Sequence, residues 1–425
     1  MSLSNSSYLA VNDIMMSCGD NQYGQLGLNN QVNKNTFNSI PSVSNIKEIA
    51  SGIGHVLILL NDGTIMSCGY NNSGQLGLND TNNRSVFTKV PNITGVKHIA
   101  CGGYHSILLL ENGTIMTCGS NGYGQLGVSG TKYVFTPVPN VSNVSQISAG
   151  FVHSFVLLND GTLMGCGYNW QGQLGMGDSS DRAVFTKVPN ITNVASIHCG
   201  NSFNILLLKD GTIMSCGNNG YAQLGSINGG DGRSFKLITN VIGVKQVAVG
   251  ANHSIVLLND GTIMTCGRND YGQLGRTTTT TMHTKVDNIS DVLYIAAAGD
   301  HTYIILKDGS IMSTGYNNAG QLGLNDNTNR KTFTRVQNIG TGVSSITKYL
   351  ISKKSNTDEL FTIDESNDAL IITATLKENM VFDNGFDLVS DLLKETQYGK
   401  PIDKILEAFS LYRKSMSNVS VKLWV

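Results

Sequence analysis

The chain is predicted to fold as an all-β, seven-bladed β-propeller. Three observations carry this expectation. The tripeptide Gln-Leu-Gly recurs seven times, ending at Gly27, Gly77, Gly127, Gly175, Gly225, Gly275 and Gly323, at spacings of 48 or 50 residues. A fixed period of about that length marks one supersecondary unit copied along the chain. Between two apolar runs of six of the seven units stands a hairpin pair at one register: Asp62-Gly63, Asn112-Gly113, Asp160-Gly161, Asp210-Gly211, Asp260-Gly261 and Asp308-Gly309. Gly and Asn or Asp accept the backbone of two-residue hairpin turns. Strand-length apolar runs separated by turns, with no helical period in any repeat, complete the pattern.

Taken in order, the chain opens with Ser7 to Val11 and Ile14 to Cys18, which read as the second and third strands of a blade without its first strand. The stretch Ile99 to Val144 shows a complete unit. Its first strand lies near Val96 to Cys101 and its second is His105 to Leu110. The Asn112-Gly113 turn leads into a third strand, Thr114 to Cys118, and a Gly-rich loop precedes a weaker fourth strand, Tyr133 to Val138. After the seventh repeat, Val343 to Ile346 resembles the missing first strand, so pairing it with the N-terminal strands would close the ring and leave no open edge.

Within the Gly-rich loop the pattern is Gly-x-Asn-x-x-Gly-Gln-Leu-Gly. Its Asn recurs as Asn21, Asn71, Asn121, Asn169, Asn219, Asn269 and Asn317. An Asn side chain can bond nearby backbone and so shape a loop that has no sheet partner. The Leu is expected to plug into the core. Ala222 stands where the other copies have Gly, so its loop is expected to be strained or bent differently.

Residues 1–349 are therefore assigned to the propeller and 350–425 to a small α+β extension. In the extension, Leu360 to Ile363 and Ala369 to Leu376 read as a hairpin, Asp387 to Glu395 and Ile402 to Ser415 have helical spacing, and Val419 to Val425 reads as a last strand.

These residues resemble the regulator of chromosome condensation repeat family, whose unit reads roughly Ile-Ala-Cys-Gly-x-x-His-Ser, then Asp-Gly, then Gly-x-Asn-x-x-Gly-Gln-Leu-Gly. The resemblance covers about residues 7–349. It implies a seven-bladed propeller whose terminal strands share one blade. One departure is systematic: the family's aromatic before the loop Gly is replaced by Cys18, Cys68, Cys118, Cys166, Cys216 and Cys266, and by Thr314. The resemblance also implies guanine-nucleotide exchange on a Ran-like small GTPase, and chromatin or DNA binding. The founding member performs exchange with an inserted β-wedge, and the even spacing leaves no room for one here. It also uses a basic N-terminal tail, whereas Met1 to Ala10 contains no Lys or Arg.

Composition narrows the classes further. The net charge is −1, which gives no global pull toward nucleic acid or an acidic membrane. No run of 18 apolar residues exists, and the N-terminus has no basic and apolar segments of a secretory signal. Of eight Cys, six share one repeat position and Cys101 and Cys199 share another, so buried free thiols are expected rather than disulfides. That suggests an intracellular location, cytoplasm or nucleus. His55, His105, His153, His253 and His301 recur before the second strand, with Phe203 in the fifth repeat. One per blade places them around a ring, where a metal's convergent ligands are not available. A structural hydrogen bond to backbone at a blade junction is expected instead. No nucleophile elbow, P-loop or zinc-protease motif stands out, so neither catalysis nor a cofactor is expected.

Two variable sets interrupt the scaffold. The first, inside the Gly loops, comprises Tyr23, Tyr70, Tyr123, Tyr168, Trp170, Tyr221, Tyr271 and Tyr316, with Asp20, Arg268 and Asp270. Tyr, Trp and Arg are enriched at binding hot spots, and the alternative is that the rings cover loop backbone. Trp170 is the one Trp within residues 1–349, the expected propeller. The second set is a candidate basic band of Arg84, Lys132, Arg182, Arg233, Arg330 and Lys331, which would suit phosphate, nucleic acid or an acidic partner, or be plain solvated charge. The leading expectation is a protein-interaction scaffold presenting variable rim loops to a protein partner of unknown identity. A small GTPase stands second and nucleic acid third; no membrane is implied.

Overall fold

A computed structural model describes residues 4–11, 14–225, 232–337, 361–364, 371–374 and 421–424. It contains seven four-stranded antiparallel sheets, and no helix is present among the described residues. Blades two to seven each take four successive strands. In blade three these are Val96–Cys101, His105–Leu110, Ile115–Gly119 and Lys132–Pro137, within a residue or so of the sequence reading. Blade two begins at Ile46, blade four at Val144, blade five at Val194, blade six at Val244 and blade seven at Val292.

Blade one is composite. Ser6–Val11, Ile14–Gly19 and Lys34–Ser39 supply three strands, and Val421–Trp424 supplies the fourth. The last pairs antiparallel with the first, Tyr8 opposite Trp424 and Ala10 opposite Lys422. The ring thus closes through both ends of the chain, as expected, but through a different segment. Val343 to Ile346 lies outside the described residues, and the strand position beside Ser6–Val11 belongs to Val421–Trp424. The chain's last strand therefore belongs to the propeller, not to the extension.

Two compact units result, one of residues 1–347 with 420–425 and one of 348–419. In the second unit Phe361–Asp364 pairs antiparallel with Ile371–Ala374, which is the expected hairpin. The two expected helices lie outside the described residues.

From blade two to blade seven the first strands of neighbouring blades pack on one another around the axis, and the fourth strands form the rim. Each hydrophobic cluster straddles a junction: Leu57, Leu59 and Ile65 of blade two pack with Ile99, Leu108 and Phe135 of blade three. The rim strand is half-buried to exposed apart from one buried Phe. That ring lies against the Gly of the preceding Gln-Leu-Gly: Phe87 on Gly27, Phe135 on Gly77, Phe185 on Gly127. Those glycines have φ near +70° and no room for a Cβ, which explains why Gly recurs there. The Leu before it is buried in all seven copies.

The strand order gives the ring two distinct faces. One carries the hairpins and the links from each fourth strand to the next blade. The other carries the Gly loops and the short turns between first and second strands. In the hairpins Asp62 Oδ1 accepts from Thr64 N at 2.9 Å and Thr64 Oγ1 at 2.7 Å, and Asn112 does the same with Thr114. This side-chain turn explains Asp or Asn before the Gly.

Candidate functional site on the Gly-loop face

The Gly loops are built from local bonds. In every copy the Asn Oδ1 accepts the backbone N–H of the Leu five residues on, from Leu26 to Asn21 at 2.9 Å through Leu322 to Asn317 at 2.8 Å. In every copy the Gln Oε1 accepts the N–H two residues before it. The expected loop-shaping role of the Asn is what the geometry gives. Ala222 keeps the left-handed backbone of its glycine counterparts, with φ +61°, and still donates to Asn219 O. Its loop is strained rather than rerouted.

Bonds between blades come next. His55 Nε2 meets Ser106 Oγ of the next blade at 3.0 Å, His105 meets Ser154, His153 meets Asn204, His253 meets Thr302 and His301 meets Ser7. The expected junction role holds, but the partner is a side chain, not backbone. Burial pushes His55, His105, His253 and His301 down to about 3 and His153 to about 4. At the junction of blades five and six, Phe203 occupies the His position. The orphaned Ser254 is met at 2.9 Å by His283, which in turn sits where other blades carry the rim Phe, against Gly225. The two residue types have exchanged places across one junction.

The recurring cysteines also tie blades together. Cys68 Sγ donates to Gln25 O at 3.2 Å and Cys118 to Gln75 O at 3.5 Å, and Thr314 Oγ1 donates to Gly272 O at 2.8 Å. All eight cysteines are free and buried, and burial pushes Cys101 and Cys199 up to about 12. They are packing groups with poor thiolate character.

On this platform the predicted aromatic residues fall into cross-blade pairs. Tyr123 meets Tyr168 with ring centroids 4.8 Å apart, Tyr271 meets Tyr316 at 4.7 Å, and Tyr23 meets Tyr70 at 4.6 Å. Tyr221 meets Arg268, whose guanidinium carbon lies 5.2 Å from that ring and 5.2 Å from Tyr271. Gln171 and Asn218 make the same link as a 3.0 Å hydrogen bond. One rule covers all five: the residue two after the loop Asn touches the residue before the Asn of the next blade. Tyr104 and Phe151, in turns between first and second strands, extend the row from Tyr70 at 5.9 and 5.7 Å. Sequence reasoning missed these two, because they sit in a different turn of the repeat that only the fold brings to the same face.

Trp170 follows another course. It sits one residue after its loop Asn, stacks on no ring among the described residues, and is 69% exposed. Tyr123 and Tyr221, on the blades either side, are each 47% exposed. Arg268 Nε donates to Asp270 Oδ2 at 2.7 Å, and its NH1 lies 3.5 Å from Asp300 Oδ2. Burial pushes the Asp300 carboxyl up, opposed by Arg268 beside it.

Of the candidate basic residues, Arg84, Lys132, Arg182 and Arg330 open their rim strands at the Gly-loop end, opposite Gly69, Gly119, Gly167 and Gly315. Three of them are neutralised. Arg84 pairs with Asp80 at 2.5 Å, Arg182 with Asp178 at 2.6 Å and Arg330 with Asp326 at 2.5 Å. Each Asp also accepts from the loop Asn, as Asp178 does from Asn169 Nδ2 at 3.0 Å. The Arg182 guanidinium holds Asp178 below the usual carboxylate range. These triads fasten the loop end to the rim strand. Lys331 follows Arg330 in the rim strand of blade seven, and Arg233 lies in a turn before the short rim strand of blade five.

No cluster of metal-ligating side chains occurs among the described residues, which also contain no helix long and apolar enough to cross a membrane. No curated protein matches the chain by sequence. Among solved structures, human WBSCR16 is 21% identical, with 78% of this chain and 94% of that chain covered at a TM-score of 0.68. Prp20p from Saccharomyces cerevisiae, described with its binding to Gsp1p and histones, is 22% identical, covering 79% of this chain and 88% of its own at a TM-score of 0.70. Yeast RCC1 (Prp20) bound to Kap60 is 22% identical over 80% of this chain and 86% of that one, at a TM-score of 0.69. At these identities the likeness is one of fold. The model of the RCC1-like domain matches residues 14–351, and by that match the chain belongs to the RCC1-like domain family.

Proposed function

We propose that the protein is a non-enzymatic interaction scaffold whose Gly-loop face docks a protein partner around Trp170. The observation that carries this reading is the exposure of Trp170, flanked by the half-exposed rings of Tyr123 and Tyr221 on the neighbouring blades. A large apolar side chain held in solvent on a rigid platform is costly to leave uncovered and is the residue type that anchors interfaces. The loops beneath it are fixed by bonds repeated in all seven copies, so little ordering entropy is lost on binding. Binding to nucleic acid through the rim is disfavoured, because Arg84, Arg182 and Arg330 already hold carboxylates.

Nucleotide exchange on a small GTPase is the second reading, supported by the likeness to Prp20p. Against it, each blade holds four strands and no inserted wedge among the described residues. Two measurements test the choice. Partner capture by the wild type, Trp170→Ala and an Arg84/Arg182/Arg330→Glu triple variant is expected to lose its main partner only with Trp170→Ala. A Ran-like GTPase loaded with fluorescent nucleotide is expected to release it at its spontaneous rate; marked acceleration would favour exchange.

A further inference from the structure

The departures from the repeat gather at one junction, between blades five and six. Ala222 replaces Gly, Phe203 replaces His, His283 replaces Phe, and Arg268 stands where three other blades carry Tyr. The rim strands of both blades shrink to two residues, Lys236–Leu237 and Thr284–Lys285. Elsewhere the start of the next rim strand presses on the loop glycine, as Ser85 does on Gly24 and Ala183 on Gly124. At Ala222 that part of the strand is missing, and in its place lies a cleft of about 590 Å³. Tyr221, Arg268, Asp270 and Thr279 to Thr281 line it.

The charge that meets solvent there is acidic. The Asp270 side chain is 60% exposed, while Arg268 is 22% exposed and shared between Asp270 and Asp300, so the most exposed charged group of the lining is a carboxylate. Arg276 also lies at the cleft, but it is 8% exposed and directs its donors inward and sideways, to Thr265, Thr278 and Thr280. Tyr221 offers a half-exposed ring, and Thr279 and Thr281 offer exposed hydroxyls.

We infer that this cleft receives a lysine or arginine side chain of the protein partner, with its alkyl stem on Tyr221 and its charged head at Asp270. The inference rests on the Gly-loop face being the docking surface. Aromatic and carboxylate groups together suit a cationic head on an apolar stem, and the cleft volume lies within the range of side-chain and small-ligand sites.

The test uses a fluorescein-labelled tetra-arginine peptide and its tetra-glutamate counterpart, titrated by polarisation against the full chain. Tetra-arginine is expected to bind, and tetra-glutamate is not. Asp270→Asn should weaken tetra-arginine binding about tenfold. Thr279→Lys, at an exposed position that leaves the fold's bonds intact, should weaken it similarly, and Thr279→Glu should strengthen it. Asp62→Asn, on the opposite face, should change nothing. Equal binding by wild type, Asp270→Asn and Thr279→Lys, or comparable binding of tetra-glutamate, overturns the inference. Trp170→Ala should leave peptide binding intact. Failure of the docking reading would appear in partner capture by that variant, and failure of this inference in the peptide titration.

Discussion

Single residues tie this ring together, and the histidines show how. Five imidazoles bridge neighbouring blades, and a sixth, His283, bonds within blade six the serine that Phe203 leaves without a partner across the junction. The exchange predicts a coupled pair. His283→Phe alone leaves Ser254 without its imidazole and should cost roughly 1–2 kcal/mol. Adding Phe203→His should recover most of that loss in a urea double-mutant cycle. Additive losses would contradict the exchange. The same histidines set an acid response. His55, His105, His253 and His301 lie at about 3, and His153 and His283 at about 4. Folded values below the ordinary one mean that the unfolded chain takes up protons first. Their contribution is complete above about pH 6.5 and is lost as pH falls toward 4, by up to ~1.4 kcal/mol per pH unit for each imidazole. Urea unfolding at pH 7, 6 and 5 should show a steep decline, and a flat profile would remove the neutral-imidazole account. Ala222 offers a simpler check: with φ at +61°, Ala222→Gly should stabilise the chain by about 1 kcal/mol.

At the level of strands and loops, what was legible was local. Asn bonding Leu five residues on, Asp turning a hairpin and Gly-Gln-Leu-Gly entering the core are each decided within a few residues, so sequence reading placed the strands of blade three closely. Closure was harder. Tyr8 and Trp424 pair across nearly the whole chain, and both Val343 to Ile346 and Val421 to Trp424 have strand composition. Nothing local separates them. A chain lacking residues 421–425 should expose the edge of Ser6–Val11 and melt lower or aggregate. An unchanged melt would show that this strand does not close the ring. The site was half legible for a related reason. The tyrosines were visible as variable positions, but their pairing joins residues one repeat apart and requires the ring. Trp170 was visible because its neighbours at the same register are polar or Gly. Asp300 and the Thr279 to Thr281 wall were not, because the cleft arises from a strand that is missing.

The propeller unit has one face of recurring loops, on which an exposed tryptophan and the cleft beside Asp270 are the departures. Its rim arginines are fastened to aspartates. The proposed function accordingly predicts docking by apolar contact on the Gly-loop face and not by charge on the rim. The most direct measurement is the affinity of the captured partner, by calorimetry at low and high salt, for wild type, Trp170→Ala and the Arg84/Arg182/Arg330→Glu variant. Loss of roughly 2 kcal/mol or more with Trp170→Ala, modest salt dependence and little effect of the triple variant are predicted. Wild-type affinity in Trp170→Ala, with binding abolished by the triple variant and falling steeply with salt, would contradict the account.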